Sequence, residues 1–255
     1  MKNNSNNYHP VSAVAFSLVV VFVLPIITAI LIGVSYSFLG TSGTDSAFEV
    51  WMQQNPVEVS ILSDEKTIIS PVESAVSYLI TVPLQIWFIF WLLRRRKIDL
   101  SKNLGLYHFN RNALIYSLVA YLILYLVLTA YSYAFQISPP EEFIKLMQAT
   151  PFVLNFLMVV IGAPIVEELL FRGFLFSQLK TTKLGINGSI ILTSLIWTSI
   201  HLQYDLFLLI PIFLIGLLLG YLMHKYNSLY LVIIVHAVHN LQATLFIEFF
   251  YDYFY

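Results

Sequence analysis

Seven long apolar segments, separated by short polar stretches, dominate the hydrophobic pattern of the 255-residue chain. Most are close to the roughly 20 residues that an α-helix needs to cross the hydrocarbon core of a bilayer. The segments cover residues 11–37, 74–93, 113–136, 151–179, 187–203, 206–224 and 228–250. The pattern therefore predicts an all-α, polytopic membrane helix bundle of about seven transmembrane helices.

The composition agrees with this prediction and excludes several classes of site. Hydrophobic residues make up 58% of the chain and charged residues 11%, against about 25% charged in an ordinary soluble domain. The absence of cysteine excludes disulfides, thiolate metal sites and cysteine nucleophiles. No basic patch indicates nucleic acid as a partner. The first apolar segment is longer than the roughly 7–15 residues of a signal-peptide core, so we expect it to be a retained span.

The distribution of charge predicts the orientation of the bundle, because cytoplasmic loops are enriched in Lys and Arg. With a cytoplasmic N-terminus and an outer C-terminus, most basic residues fall inside and the acidic loop residues fall outside. The inside group is Lys2, Arg94, Arg95, Arg96, Lys97, Lys102, Arg111, Lys180, Lys183 and Lys225. We expect a multi-pass protein of a plasma membrane, and a bacterial one because the chain is small.

The chain divides into two parts within one integrated membrane domain. Residues 1–150 form a three-span N-terminal part with an outward acidic loop at 38–73, and residues 151–250 form the part that carries the polar groups. The fifth and sixth segments meet at Gln203, Tyr204 and Asp205, so these two should form a tight helical hairpin.

Two adjacent carboxylates, Glu167 and Glu168, interrupt the fourth apolar segment. Ionisable groups at membrane depth are rare and usually face a bundle interior or a water-filled cavity, so they suggest a functional site. Residues four apart share a helix face, which allows Glu168 to pair with Arg172. Glu167 is turned about 100° away and is left available for chemistry.

Two other segments offer polar faces at compatible depth. Trp197 and His201 are four residues apart in the fifth segment, and His236 and Asn240 are four apart in the seventh. At 1.5 Å per residue, Glu167, His201 and His236 lie about 14–21 Å from their cytoplasmic helix ends. A single intramembrane histidine is more often a packing group, but three polar faces at similar depth favour one shared site.

Such a group of side chains supports hydrolysis by either of two routes. Glu167, His201 and His236 could hold a Zn²⁺ that activates water, or Glu167 could itself be the general base on a water held by the histidines. Asn240 could then donate a hydrogen bond to the developing oxyanion. Both routes suit the hydrolysis of a peptide bond.

The three motifs resemble those of the CAAX protease and bacteriocin-processing family of intramembrane proteases, also called the Abi family. The resemblance covers residues 150–245, where Glu167-Glu168-x-x-x-Arg172, Trp197-x-x-x-His201 and His236-x-x-x-Asn240 follow the family order. It implies that Glu167 and His201 activate water and that His236 and Asn240 bind the scissile carbonyl or complete a metal site. Glu168 and Arg172 would organise the cavity, with Trp197 in support. Phe is the commoner family residue at position 197.

By this resemblance the expected partner is a membrane-associated peptide or protein substrate, with a role in peptide maturation or bacteriocin self-immunity. A different class of function is also open, in which the same fold is a catalytically silent membrane adaptor that binds a sensor, a peptide or an exporter. A proton-coupled transporter is a third alternative, which the absence of an internal repeat disfavours.

Overall fold

The computed structural model describes residues 10–24, 71–95, 97 and 99–254. These residues form helices joined by short turns, and no strand occurs among them. We number the helices in chain order. They are α1 (Pro10–Leu18, continued by a π-helical turn, Val19–Val23), α2 (Pro71–Arg95), α3 (Leu100–Leu104), α4 (Arg111–Ala134), α5 (Glu141–Ala149), α6 (Phe152–Leu179), α7 (Gly185–Ser199), α8 (Leu206–Tyr226), α9 (Leu229–Phe249) and α10 (Tyr251–Phe254).

The predicted polytopic helix bundle is confirmed. Five helices within the described residues, namely α2, α4, α6, α8 and α9, are long and apolar enough to cross a membrane. Their ends lie within a few residues of the predicted segments. The predicted first span is described only as far as residue 24, and nearly all of the acidic loop 38–73 lies outside the described residues. The division at residue 150 and the orientation remain predictions.

The fifth predicted segment differs from the structure, because α7 has 15 residues and ends at Ser199 instead of continuing to residue 203. The imidazole of His201 explains this early end. Its Nδ1 lies 3.1 Å from the Trp197 carbonyl oxygen, the acceptor that the backbone N–H of residue 201 would use in an α-helix. That N–H bonds the Thr198 carbonyl instead. The chain therefore leaves α7 in tighter turns before α8 begins.

Helix α6 is not a uniform α-helix. Two π-helical stretches, Phe156–Gly162 and Leu169–Leu175, flank a short α-helical segment, Ala163–Glu168. A π-helical stretch holds an extra residue per turn and so rotates the side chains that follow it, and such stretches are frequent at functional sites. The adjacent Glu167 and Glu168 close the α-helical segment between the two.

The helix surfaces separate into a packed interior and an apolar exterior. The second half of α6 lies at the centre, where every residue from Glu168 to Leu179 is buried. In contrast, α4 exposes large apolar side chains, among them Ile123 at 60% and Leu126 at 59%. A continuous exposed apolar face of this kind is what a bilayer would cover. The protein is therefore a multi-pass membrane protein.

A short loop fastens the beginning of α9. Gly105 ends α3 in the left-handed region, at φ 68°, and its carbonyl accepts a hydrogen bond from the Leu229 N–H at 2.8 Å. A glycine adopts this conformation at no steric cost. The Ser228 hydroxyl donates to the Tyr107 carbonyl at 2.6 Å and also caps α9 through the Leu231 N–H. These contacts fix the first turn of the helix that carries His236.

Candidate active site

A buried ion pair lies at the centre of the polar groups. Arg172 Nη1 donates to Glu168 Oε1 at 2.9 Å, and both side chains are 0% exposed. Arg172 also donates to the Gly216 carbonyl of α8 at 3.2 Å, and its guanidinium lies 4.6 Å from the Trp197 ring centroid. The predicted pairing of Glu168 with Arg172 is thus present, and it connects α6 to α7 and α8.

Glu167 occupies a different environment from its neighbour. Its side chain is 18% exposed, and its Oε2 accepts a hydrogen bond of 2.6 Å from the indole Nε1 of Trp197. The same oxygen lies 4.0 Å from His236 Nε2, which is too far for a hydrogen bond. Glu167 is therefore held in place by one strong donor and keeps accessible surface for a reactant.

The two motif histidines use the same ring nitrogen, Nδ1, for a hydrogen bond within the protein. His236 Nδ1 lies 2.9 Å from Glu168 Oε1, and His201 Nδ1 lies 3.1 Å from the Trp197 carbonyl. Because a carboxylate and a carbonyl accept hydrogen bonds, each Nδ1 carries the proton and each Nε2 is left as an acceptor. Trp197 connects the two rings, since its indole packs edge-to-face on both at 5.3 Å between centroids.

Asn240 lies one helical turn beyond His236 on α9. Its Nδ2 donates to the Val159 carbonyl in the first π-helical stretch of α6, at 2.7 Å. The side-chain amide has two N–H groups, so one remains for another acceptor. The structure thus brings together Glu167, Glu168, Arg172, Trp197 and His236, attaches His201 to this group through Trp197, and holds Asn240 beside it through the α6 backbone.

Some residues around the site carry no motif signal. Tyr204, in the turn after α7, stacks on His201 at 6.1 Å between centroids and meets Phe143 of α5 edge-to-face at 5.8 Å. Burial raises the pKa of the Tyr204 phenol, and the nearby Glu167 charge adds to the effect. The stacking partner of His201 therefore stays neutral. An aromatic residue in a predicted turn gave no reason to expect this contact.

His239, which belongs to none of the motifs, is part of a second polar group. Tyr121 of α4 donates its hydroxyl to Gln242 Oε1 at 2.7 Å, and the same hydroxyl lies 3.2 Å from His239 Nδ1. Since the phenol has only one hydrogen, it accepts from His239. This group connects α9 to α4.

The fit of a metal ion can be judged from the same contacts. A carboxylate oxygen and two imidazole Nε2 atoms are suitable zinc ligands. However, within residues 10–24, 71–95, 97 and 99–254, no group of three or more His, Asp or Glu side chains is arranged to hold a metal ion. Glu167 Oε2 is also already engaged by Trp197. The arrangement does not fit a preformed zinc site at Glu167, His201 and His236.

Comparison with known proteins identifies one family. A family model described as type II CAAX prenyl endopeptidase Rce1-like matches residues 149–242. No curated protein and no solved structure matches the chain. The matched range contains the ion pair, Glu167, Trp197, both motif histidines and Asn240. Over residues 149–242, which are less than half of the chain, the sequence is thus similar to the CAAX protease family that its motifs resemble.

Proposed function

We propose that the chain is an intramembrane endopeptidase that hydrolyses a peptide bond in a membrane-associated peptide or protein, with Glu167 as general base. The difference between the two adjacent carboxylates carries this proposal. Glu168 is fully buried and bonded to Arg172 and His236, whereas Glu167 has one fixed donor and exposed surface. One carboxylate is structural, and the other is available to a reactant.

The gap between Glu167 and His236 suits a water molecule. At 4.0 Å between Oε2 and Nε2, two acceptors can share one water that donates a hydrogen bond to each, at ordinary distances of about 2.8 Å. This assignment differs from the oxyanion role predicted for His236, because its Nε2 has no hydrogen to donate.

The proposed reaction then has two stages, the addition of water to the carbonyl and the cleavage of the C–N bond. Glu167 takes a proton from the water while the water oxygen forms a bond to the scissile carbonyl carbon, and the carbonyl π electrons move to oxygen. The free N–H of Asn240 would stabilise that oxyanion. The C–N bond then breaks as Glu167 returns its proton to the leaving nitrogen. Because the residues do not fit a preformed metal site, no step in this proposal uses one.

The family description names a prenyl endopeptidase, which supports a peptide substrate that carries a lipid anchor. We further propose that the protein lies in a bacterial plasma membrane and acts in peptide maturation or bacteriocin self-immunity. The accumulating precursor in cells that carry only a Glu167→Gln variant would identify the substrate.

The test is cleavage by the full chain in proteoliposomes. A panel of membrane-tethered peptides, with and without a prenylated C-terminus, is offered to wild type, Glu167→Gln and Glu142→Gln. Glu142 is an exposed carboxylate of α5 and is the matched control. We expect wild type and Glu142→Gln to cleave equally and Glu167→Gln to be slower by roughly 10²–10⁴, the usual contribution of a general base.

Two results would count against this proposal. Equal cleavage by Glu167→Gln and wild type would remove Glu167 from the chemistry. Binding of a panel peptide by folded wild type, without cleavage of any peptide, would favour the adaptor function instead.

A further inference from the structure

A line of polar side chains continues from the site along α9. His236, Asn240, Thr244 and Glu248 are each four residues apart, so each member lies on the same face of the helix as the next one. We call these four residues the polar stripe. It extends about 18 Å, at 1.5 Å per residue, from the site to the last turn of α9. The two further members, Thr244 and Glu248, belong to none of the motifs.

The stripe faces protein and not lipid. Asn240 bonds the Val159 carbonyl of α6. Ile247, adjacent to Glu248, forms a buried cluster with Ile144 and Met147 of α5, and Val159 of α6 packs against this cluster. These contacts lie on both sides of Thr244 along α9, and Thr244 itself is only 1% exposed. The stripe therefore runs through the region enclosed by α5, α6 and α9.

The Thr244 hydroxyl lacks a hydrogen bond that several other buried hydroxyls make. Ser117, Thr193 and Ser194 donate to the carbonyl four residues earlier, whereas Thr244, like Ser177 and Thr198, has no such partner among the described residues. In the described part of the chain, Thr244 Oγ1 is buried with no hydrogen-bond partner, and so is Glu248 Oε2. Each unpartnered buried group costs about 1–3 kcal/mol if it stays dry. Two such groups in one line indicate contact with water.

The site also needs a water supply from this side. Hydrolysis consumes one water per turnover, and α6 is completely buried from Glu168 to Leu179. Ala163, one turn before Glu167, is partly exposed, so the exposed surface of Glu167 adjoins the other half of α6. Irregular backbone at membrane depth is tolerated where it lines a cavity that holds water, and the π-helical stretch Phe156–Gly162 borders this region.

We propose that the polar stripe is the path by which water reaches Glu167, with Thr244 and Glu248 as its hydrogen-bonding groups. The proposal rests on the proposed hydrolytic function, which it deepens by assigning a role to two further residues. In this role neither residue contacts the substrate, and Thr244 acts by keeping the path hydrated.

The natural absence of cysteine allows a direct test of hydration. Single-cysteine variants of the full chain in proteoliposomes are treated on both membrane faces with 2-aminoethyl methanethiosulfonate, which reacts with thiols in contact with water. The test variant is Thr244→Cys. The controls are Leu219→Cys, which is equally buried in the core, and Ile123→Cys, which lies on the lipid-facing surface of α4.

We expect Thr244→Cys to react roughly tenfold faster than either control, as for a site whose hydration is favoured by one unsatisfied hydrogen bond. A dry, packed environment predicts instead that Thr244→Cys is as protected as Leu219→Cys. That result would overturn the proposal whether or not any peptide is cleaved. The labelling result therefore does not depend on the proposed protease activity.

A second measurement connects hydration to turnover. Thr244→Val keeps the shape of the side chain and removes the hydroxyl. We expect it to lower kcat roughly fivefold to tenfold, the equivalent of one hydrogen bond, with KM unchanged, while Thr244→Ser restores kcat. A wild-type kcat in Thr244→Val would refute the proposal. Inactive wild-type protein with a reactive Thr244→Cys would refute the protease function and leave a hydrated stripe.

Discussion

The buried ion pair allows the structure to be tested without any substrate. Arg172→Met removes the cation and leaves Glu168 fully buried beside His236 alone. Removing one partner of a buried pair costs about 3–5 kcal/mol, because an uncompensated charge remains. The variant also loses the bond to Gly216 and the contact with Trp197. We therefore expect the free energy of unfolding to fall by an amount near the upper end of that range. Unfolding of the purified protein in mixed detergent, followed by ellipticity, measures it.

A double-mutant cycle separates the pair from general packing. Arg172→Met leaves the buried Glu168 charge without a partner, and Glu168→Gln removes that charge. The free energy of unfolding of the double variant should therefore fall by about 3 kcal/mol less than the sum of the two single decreases. The chain offers a matched control in Glu141 and Lys145, which form an ion pair of the same spacing on α5 but are mostly exposed. Lys145→Met should leave stability unchanged. Additive losses at Glu168 and Arg172 would refute the interaction described above.

Three further predictions concern the same site. Trp197→Phe introduces the commoner family residue but removes the 2.6 Å donor to Glu167. We therefore expect kcat for peptide cleavage to fall roughly tenfold or more, as for the loss of a hydrogen bond to a charged group. The control Trp87→Phe, on the exposed surface of α2, should leave kcat unchanged. Gly216→Ala would place a methyl group 3.1 Å from Ser194 and from the Trp197 ring, and the overpacking should lower the free energy of unfolding by about 1–3 kcal/mol. Purified active protein should hold substoichiometric zinc and keep its turnover after chelation, while a loss of activity that Zn²⁺ restores would establish the metal route.

The positions of the long helices were predictable because apolar run length is a local property of the sequence. The prediction for 113–136, for example, differs from α4 by two residues at each end. The end of α7 was not predictable in the same way. Ile200, Leu202 and Tyr204 continue the apolar pattern, but the His201 imidazole competes for the Trp197 carbonyl and ends the helix. The hydropathy pattern does not indicate where a side chain takes the place of a backbone donor.

The pairings within one helix were also accessible from sequence, because four-residue spacing is sufficient to predict them. Glu168 with Arg172 and Trp197 with His201 are examples. The contacts between helices could not be predicted from sequence, since they depend on how far each helix is rotated about its axis. The π-helical stretches of α6 alter that rotation. For this reason the motifs suggested a shared site but did not predict the bond between Trp197 and Glu167.

The anchoring of α9 at Gly105 and Ser228 has a consequence for how a substrate can be accommodated. The helix is fastened seven residues before His236, and it is fastened again by the bonds from His236 to Glu168 and from Asn240 to Val159. Any outward displacement that admits a peptide must therefore grow with distance from this fixed end. The half of α9 toward Phe249, together with α5 packed against it, is the part that can yield, while the His236 imidazole keeps its place. Substrate size would then be selected at α5, some distance from the reacting atoms.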